Sequence, residues 1–268
     1  MSGDDRLLAP LRSHPERSAV VCDIDGTLAP IVTDPEDASV PTPTRELLAS
    51  LDRRYALVAC LSGRRAADAR RVVGLEQLTY IGNHGLERLG AGAQRPETDP
   101  AAAAEAPALR ALALAQYTPE LERLGIRLED KDSIWSFHWR GVGDEPSARA
   151  ALDRVSEAAR GEGLVPHWGR KVLEIRPPVK ADKGTALAGL LRGTDIDAAL
   201  YGGDDTTDLD AFRALRELRS SHALEHVVCV GVRSAEAPHR LVEDADLLVN
   251  GPDGFSLLLA TLLQEAVS

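Results

Sequence analysis

Val20-Val21-Cys22-Asp23-Ile24-Asp25-Gly26-Thr27-Leu28 is the stretch from which the rest of the chain can be read. Val20, Val21 and Cys22 suit the end of a buried strand. Two carboxylates follow, one residue apart, and in an extended chain positions i and i+2 share a face. Gly26 permits a tight turn, and Thr27 adds a hydroxyl. A strand is therefore expected to end in a turn that presents Asp23, Asp25 and Thr27 together. The carboxyl ends of strands are where open α/β sheets bind ligands. Two close carboxylates repel, and a divalent cation relieves that repulsion. Taken alone, the stretch is equally an Asp-Gly turn solvated at a strand end.

Other strands end in the same way. Tyr55–Leu61 runs into Ser62-Gly63-Arg64, and Leu78–Ile81 into Gly82-Asn83-His84-Gly85-Leu86-Glu87. Ala198–Gly202 runs into Gly203-Asp204-Asp205-Thr206-Thr207-Asp208. Between them lie helical patterns at Arg45–Arg54, with Thr44 as its N-cap, at Ala66–Val73 and at Leu209–Arg219. Lys180-Ala181-Asp182-Lys183-Gly184 opens another helix to about Leu191. Strands at His226–Val230 and Asp246–Val249 and a helix from Gly254 to Glu265 complete the pattern. This alternation predicts an α/β fold with a parallel sheet and its ligand-facing loops on one edge.

The pattern changes in the middle of the chain. Gly90–Pro100 reads as a hinge or hairpin tip. Ala101–Leu124 is mostly helical, with interruptions expected at Pro107 and Pro119. Alternating runs at Ile126–Lys131 and Ser133–Trp139 precede a helix over Ser147–Arg160. Leu164–Trp168 and Val172–Arg176 then flank Gly169-Arg170 as a hairpin. Residues 105–179 are expected to form an inserted α+β domain, with 1–104 and 180–268 as the core.

The 268 residues carry a formal net charge of −11, which argues against nucleic acid or an anionic membrane as partners. No apolar run reaches membrane-spanning length, and Met1–Ser18 has no apolar signal-peptide core. Cys22, Cys60 and Cys229 each sit in an apolar run without metal-ligand spacing. The expected setting is reducing, hence cytoplasmic.

The two acidic turns are more specific together than either alone. Asp208 by itself fits helix N-capping. On neighbouring strand ends, however, Asp23 and Asp204 can share one Mg²⁺, which prefers oxygen ligands. Ser62 and Lys183 supply a hydroxyl and an ammonium for the non-reacting oxygens of a phosphoryl group. Asp23, nearest the strand, is the better nucleophile, and Asp25 is the proton donor and acceptor.

This set, Asp23-x-Asp25-Gly26-Thr27, Ser62, Lys183 and Gly203-Asp204-Asp205-x-x-Asp208, resembles the four motifs of the haloacid dehalogenase (HAD) superfamily of phosphatases. The resemblance implies a HAD-like Rossmannoid core and an inserted α+β cap of the C2 type. Within that superfamily the chain is most similar to trehalose-6-phosphate phosphatases, through residues 25–32, Pro35, Ala38, Leu61–Arg64 and Gly82–Glu87. In the insert, Glu129-x-Lys131, Arg140, Arg170, Glu174 and Asp182-Lys183-Gly184 resemble that family's sugar-binding set. Arg170 stands where the family often has Lys, and Leu209 where it often has an acidic residue.

The resemblance implies Mg²⁺ held by Asp23, the Asp25 carbonyl and Asp204. Asp205 and Asp208 are then further ligands through water, or orient Asp204 and Lys183. Arg64, Asn83, His84, Glu129, Lys131, Arg140, Arg170 and Glu174 become substrate contacts. The expected partners are a small sugar phosphate and a trehalose-phosphate synthase. A sucrose-, glucosylglycerol- or glycosyl-phosphoglycerate phosphatase, a phosphomutase and a non-catalytic module of a trehalose-synthesis complex remain as alternatives. Intact Asp23, Asp25, Lys183 and Asp204 weigh against the last.

Overall fold

In the computed structural model, which describes residues 3–32, 34–234 and 238–264, the opening stretch forms β1 (Ser18–Cys22), buried along its length. Val20 and Cys22 join one apolar cluster, and Ala19 and Val21 join another. A strand buried on both faces needs helices on both sides.

Helix α1 (Gly3–Ser13) precedes β1. Next come α2 (Thr42–Asp52), β2 (Leu57–Leu61), α3 (Ala66–Val73) and β3 (Thr79–Gly82). Thr44 is not the cap of α2, because Pro43 fits the first turn and the helix begins earlier. The Thr44 hydroxyl bonds Ser256 instead. β4 (Glu87–Leu89) returns antiparallel to β3, and β5 (Glu97–Thr98) finishes that edge. Residues 90–96 thus join two neighbouring strands, in keeping with the hairpin-tip reading of Gly90–Pro100, while Glu97–Thr98 of that stretch is itself strand.

Helices α4 (Pro100–Gln116) and α5 (Pro119–Arg123) follow, then β6 (Arg127–Asp130), β7 (Trp135–His138), α6 (Glu145–Gly161), β8 (Val165–Gly169) and β9 (Val172–Arg176). α4 runs through Pro107, where an interruption was expected. Leu109 and Ala113, just beyond it, pack into an apolar cluster with Phe137, and that packing offsets the lost backbone bond. The chain ends with α7 (Lys183–Leu191), β10 (Ala198–Gly203), α8 (Asp208–Ser220), β11 (His226–Arg233), α9 (His239–Asp244), β12 (Leu247–Asn250) and α10 (Gly251–Leu262). α10 begins at Gly251 rather than Gly254, and its expected end at Glu265 lies outside the described residues.

Two compact units result: Met1–Glu97 with Ala181–Ser268, and Thr98–Lys180. The expected boundary between 104 and 105 falls inside α4, because Asp99 caps that helix and draws the Ala run into it.

The first unit is a sheet in the order β12-β11-β10-β1-β2-β3-β4-β5, parallel from β12 to β3. Residues of α1, α2, α3 and α10 fill the cluster on one face. Residues of α7, α8 and α9 fill the other. Cys22 lies level with Gly202 on one side and Cys60 on the other. That register brings the ends of β10, β1 and β2 to one edge.

The second unit is an antiparallel sheet, β6-β7-β9-β8. Trp135, Phe137, Leu173 and Ile175 face a core shared with α4 and α6. The alternate positions carry a row in register, Glu129, Ser136, Glu174 and His167.

Candidate active site

Asp23 leaves the end of β1, and its N–H donates to the Gly202 carbonyl at 2.8 Å. Lys183 opens α7, held there by a reciprocal cap. The Thr185 N–H donates to Asp182 Oδ1 at 2.7 Å, and the Asp182 N–H donates to the Thr185 hydroxyl at 3.0 Å. Its ammonium is buried between two carboxylates, 2.6 Å from Asp23 Oδ1 and 2.7 Å from Asp208 Oδ1. Asp208 opens α8. Its Oδ2 accepts the backbone N–H groups of Asp204 at 3.0 Å and Asp205 at 2.9 Å.

Among the described residues, Asp23, Asp204 and Asp208 offer carboxylate oxygens within 4.8 Å of one another, and all three are buried. The Lys183 ammonium bonds two of these three carboxylates, Asp23 and Asp208. Burial, reinforced by repulsion from Asp208 and Asp204, pushes the Asp23 carboxyl well above its usual range despite Lys183. Burial alone would lower Lys183, but Asp208 and Asp23 outweigh it and hold the ammonium protonated. Both shifts point to excess negative charge.

After Asp23 the chain is no longer extended: the Ile24 carbonyl accepts N–H groups from Thr27, Leu28 and Ala29. Gly26 takes φ +90°, and a Cβ there would lie 2.2 Å from Asp204 Oδ2. So the first acidic turn leans on the second through its glycine. Asp25 turns to Arg64, which grips it with Nε at 2.7 Å and Nη2 at 2.8 Å and also donates to the Pro35 carbonyl. Thr27 is fully buried, and its hydroxyl has no partner among the described residues. Asp25 and Asp205 do not contribute carboxylates to the cluster.

Ser62 follows β2 directly and is buried. Its Oγ accepts the Arg64 N–H at 3.1 Å. Asn83 and His84 both hold positive φ, 48° and 56°, a conformation that persists where surroundings impose it. A Cβ on Gly63 would meet the His84 ring at 2.7 Å, so the ring packs on the turn after Ser62. Glu87 organises this corner: its carboxylate accepts from Asn83 Nδ2 at 2.8 Å and from the Ala66 N–H at 2.9 Å.

In the second unit, Glu174 is buried and its carboxylate is held by its neighbours. Oε1 accepts from Lys131 at 3.0 Å, and Oε2 accepts from Arg176 Nη2 at 2.6 Å. Glu129 pairs with His138 at 2.7 Å. Burial opposes ionisation of Glu129, but His138 and Lys131 outweigh it and hold its carboxyl below the usual range. Arg140 is exposed beyond β7, and Arg170 lies in the β8–β9 turn, where Trp139 bonds the Lys171 carbonyl.

Tyr201, Glu87, Arg176 and His138 were not singled out from the sequence. For Glu87 a signal was available in its spacing from Asn83. Tyr201 sat unremarked in an apolar run.

Residues 21–244 match the sequence model of the trehalose-phosphatase family. The chain belongs to that family. A rice protein (Oryza sativa subsp. japonica) named probable trehalose-phosphate phosphatase 9 is 35% identical over 227 residues, covering 75% of this chain and 60% of its own. This chain thus spans less than two thirds of that relative's length. The C-terminal domain of C. albicans trehalose-6-phosphate phosphatase superposes with a TM-score of 0.76 at 21% identity, over 96% of each chain. A haloacid dehalogenase-like hydrolase from Bacteroides thetaiotaomicron superposes at 0.63 with 15% identity, over 92% of this chain and 99% of its own. The fold of this trehalose-phosphatase family member is HAD-like, with a parallel-dominated sheet.

Proposed function

We propose that the chain hydrolyses trehalose 6-phosphate to trehalose and phosphate, with Mg²⁺ and through an aspartyl-phosphate on Asp23. The observation that carries this reading is the buried Asp23–Lys183–Asp208 bridge with Asp204 beside it, in a chain of this family.

In the first half-reaction an Asp23 carboxylate oxygen attacks phosphorus, and the bond from phosphorus to the sugar oxygen breaks. Asp25 gives that oxygen its proton. In the second, Asp25 takes a proton from water, whose oxygen attacks the phosphoryl group and releases Asp23. Lys183 and Ser62 hold the non-reacting phosphoryl oxygens. Arg64, expected as a substrate contact, also holds Asp25 through two hydrogen bonds.

The donor set fits Mg²⁺: it is all oxygen, buried and short of positive charge. Asp23, Asp204 and the Asp25 carbonyl would hold the ion, which would supply charge neutralisation at the phosphoryl group. Asp208 is engaged by its four donors and orients Lys183 and the Asp204 turn. Activity is expected to vanish in excess chelator and return with Mg²⁺, read as phosphate release. Full turnover in chelator would overturn the metal-dependent reading. The same assay over a panel of sugar phosphates tests the substrate.

Glu129, Lys131 and Glu174 are assigned to the sugar, as one row of preset charges. Glu174→Ala is expected to lower kcat/KM for trehalose 6-phosphate by roughly ten- to a hundred-fold, the cost of one hydrogen bond to a charged group. A small aryl phosphate, which lacks the sugar, should be hydrolysed almost as before. Because Glu174 also neutralises Lys131 and Arg176, Tm is measured on the same preparation. Parallel losses on both substrates would make Glu174 a fold residue.

No helix among the described residues is long and apolar enough to cross a membrane. The buried, unbridged thiols support a cytoplasmic setting. A trehalose-phosphate synthase, which would supply the substrate, is the partner this reading implies.

A further inference from the structure

We infer that Tyr201 is a positioning residue for phosphoryl transfer, acting through Asp208 on the Lys183 ammonium. This rests on the phosphatase reading above and extends it to a side chain outside the four motifs.

The chain has four tyrosines. Tyr55, Tyr80 and Tyr117 each donate to a backbone carbonyl, as buried phenols commonly do. Tyr201 donates to a carboxylate, Asp208 Oδ1, at 2.6 Å. It sits in β10 with no exposed surface. Its ring meets Phe212 edge-on, with centroids 6.2 Å apart at 82°. Phe212 and Asp208 lie one turn apart on α8, so one helix face supplies both contacts.

The second donor on Asp208 Oδ1 is Lys183. With the two backbone N–H groups on Oδ2, Asp208 accepts four hydrogen bonds and cannot rotate without breaking one. Lys183 is shared almost evenly, 2.6 Å to Asp23 and 2.7 Å to Asp208. Two carboxylates compete for that ammonium. A donor on Asp208 weakens its pull on Lys183 and leaves more of the ammonium for Asp23 and the phosphoryl oxygens. A phenol does this without charge. A second cation there would compete with Lys183 and with Mg²⁺ for the same carboxylates.

Removing the hydroxyl should therefore slow the chemistry and leave sugar binding alone. Tyr201→Phe is expected to lower kcat about tenfold on both a sugar phosphate and an aryl phosphate, the scale of one charge-assisted hydrogen bond. KM for the sugar phosphate should stay within about twofold. In an Asp208→Ala background the same substitution should cost nothing further, since its target is gone. An equal loss in both backgrounds, or a normal kcat with only a lower Tm, would overturn the inference. Phe212→Leu is the second variant: it withdraws the ring contact and keeps the hydroxyl on Asp208. It should lower Tm with kcat within about twofold; a tenfold loss there would assign the effect to packing and also overturn the inference. Wild-type turnover on the sugar panel tests the phosphatase reading first. The aryl arm needs only phosphoryl chemistry, so Tyr201 is tested whichever sugar phosphate proves best.

Discussion

Asp23→Asn is expected to abolish phosphate release from sugar and aryl phosphates alike. The amide has no nucleophilic oxygen anion, and among the described residues the other carboxylates of the cluster are committed. Asp208 is saturated by four donors. Asp204 belongs to the turn against Gly26. No substitute is positioned to attack, so the loss should not depend on the leaving group. A phosphoryl adduct trapped by rapid quench in wild type should be missing in the variant. The same substitution should raise Tm in metal-free buffer. Asp23 is repelled by Asp208 and Asp204, and deleting its charge relieves that repulsion while Lys183 keeps Asp208. Removing about 1 kcal/mol of repulsion would be worth roughly 2–4 °C. Residual turnover near the wild-type rate would mean that another residue attacks phosphorus.

Asp25→Asn should divide substrates that Asp23→Asn treats alike. A positioned acid–base group contributes roughly a hundred- to ten-thousand-fold. That full factor is expected on a sugar phosphate, whose alkoxide leaves poorly without a proton. An aryl phosphate carries its own good leaving group and should lose much less. Asp25 is also the anchor for Arg64, through two hydrogen bonds. Asn can keep only one of them as an acceptor, so some loss of order is expected on both substrates. The ratio between substrates is therefore the informative quantity. Equal losses would assign Asp25 to holding Arg64 and remove it from proton transfer.

Most of the core was legible because its signals are local. Val20–Cys22 states burial by composition, Gly26 states the turn, and Asp182 before Lys183 states a helix start. The carboxylate cluster followed from strand ends brought level by a parallel sheet. What escaped depends on contacts that no local pattern encodes. Asp25 and Arg64 are 39 residues apart, and only the fold shows that they pair. Tyr201 looked like one more apolar strand residue, because a hydroxyl has no meaning until its partner is known. Thr44 and Pro107 misled for the opposite reason. Each carries a strong local preference, and tertiary packing overrode it. In the second unit, alternation identified the strands. It could not say that Arg140 would be exposed beyond β7.

The order of strands bears on how the chain is made. β1 lies between β2 and β10, and β10 is among the later strands in sequence. Lys183 and Asp23, joined in the folded protein, are 160 residues apart. Lys131 and Glu174 are only 43 apart. During synthesis every strand of the inserted sheet leaves the ribosome before Ala198 does. Throughout that interval β1 has one apolar edge without its neighbour, the kind of surface that pairs with other chains. The nascent protein thus carries Asp23 beside an open edge until Ala198 and the residues after it have been made, and a stop codon between β1 and β10 leaves that edge open for good.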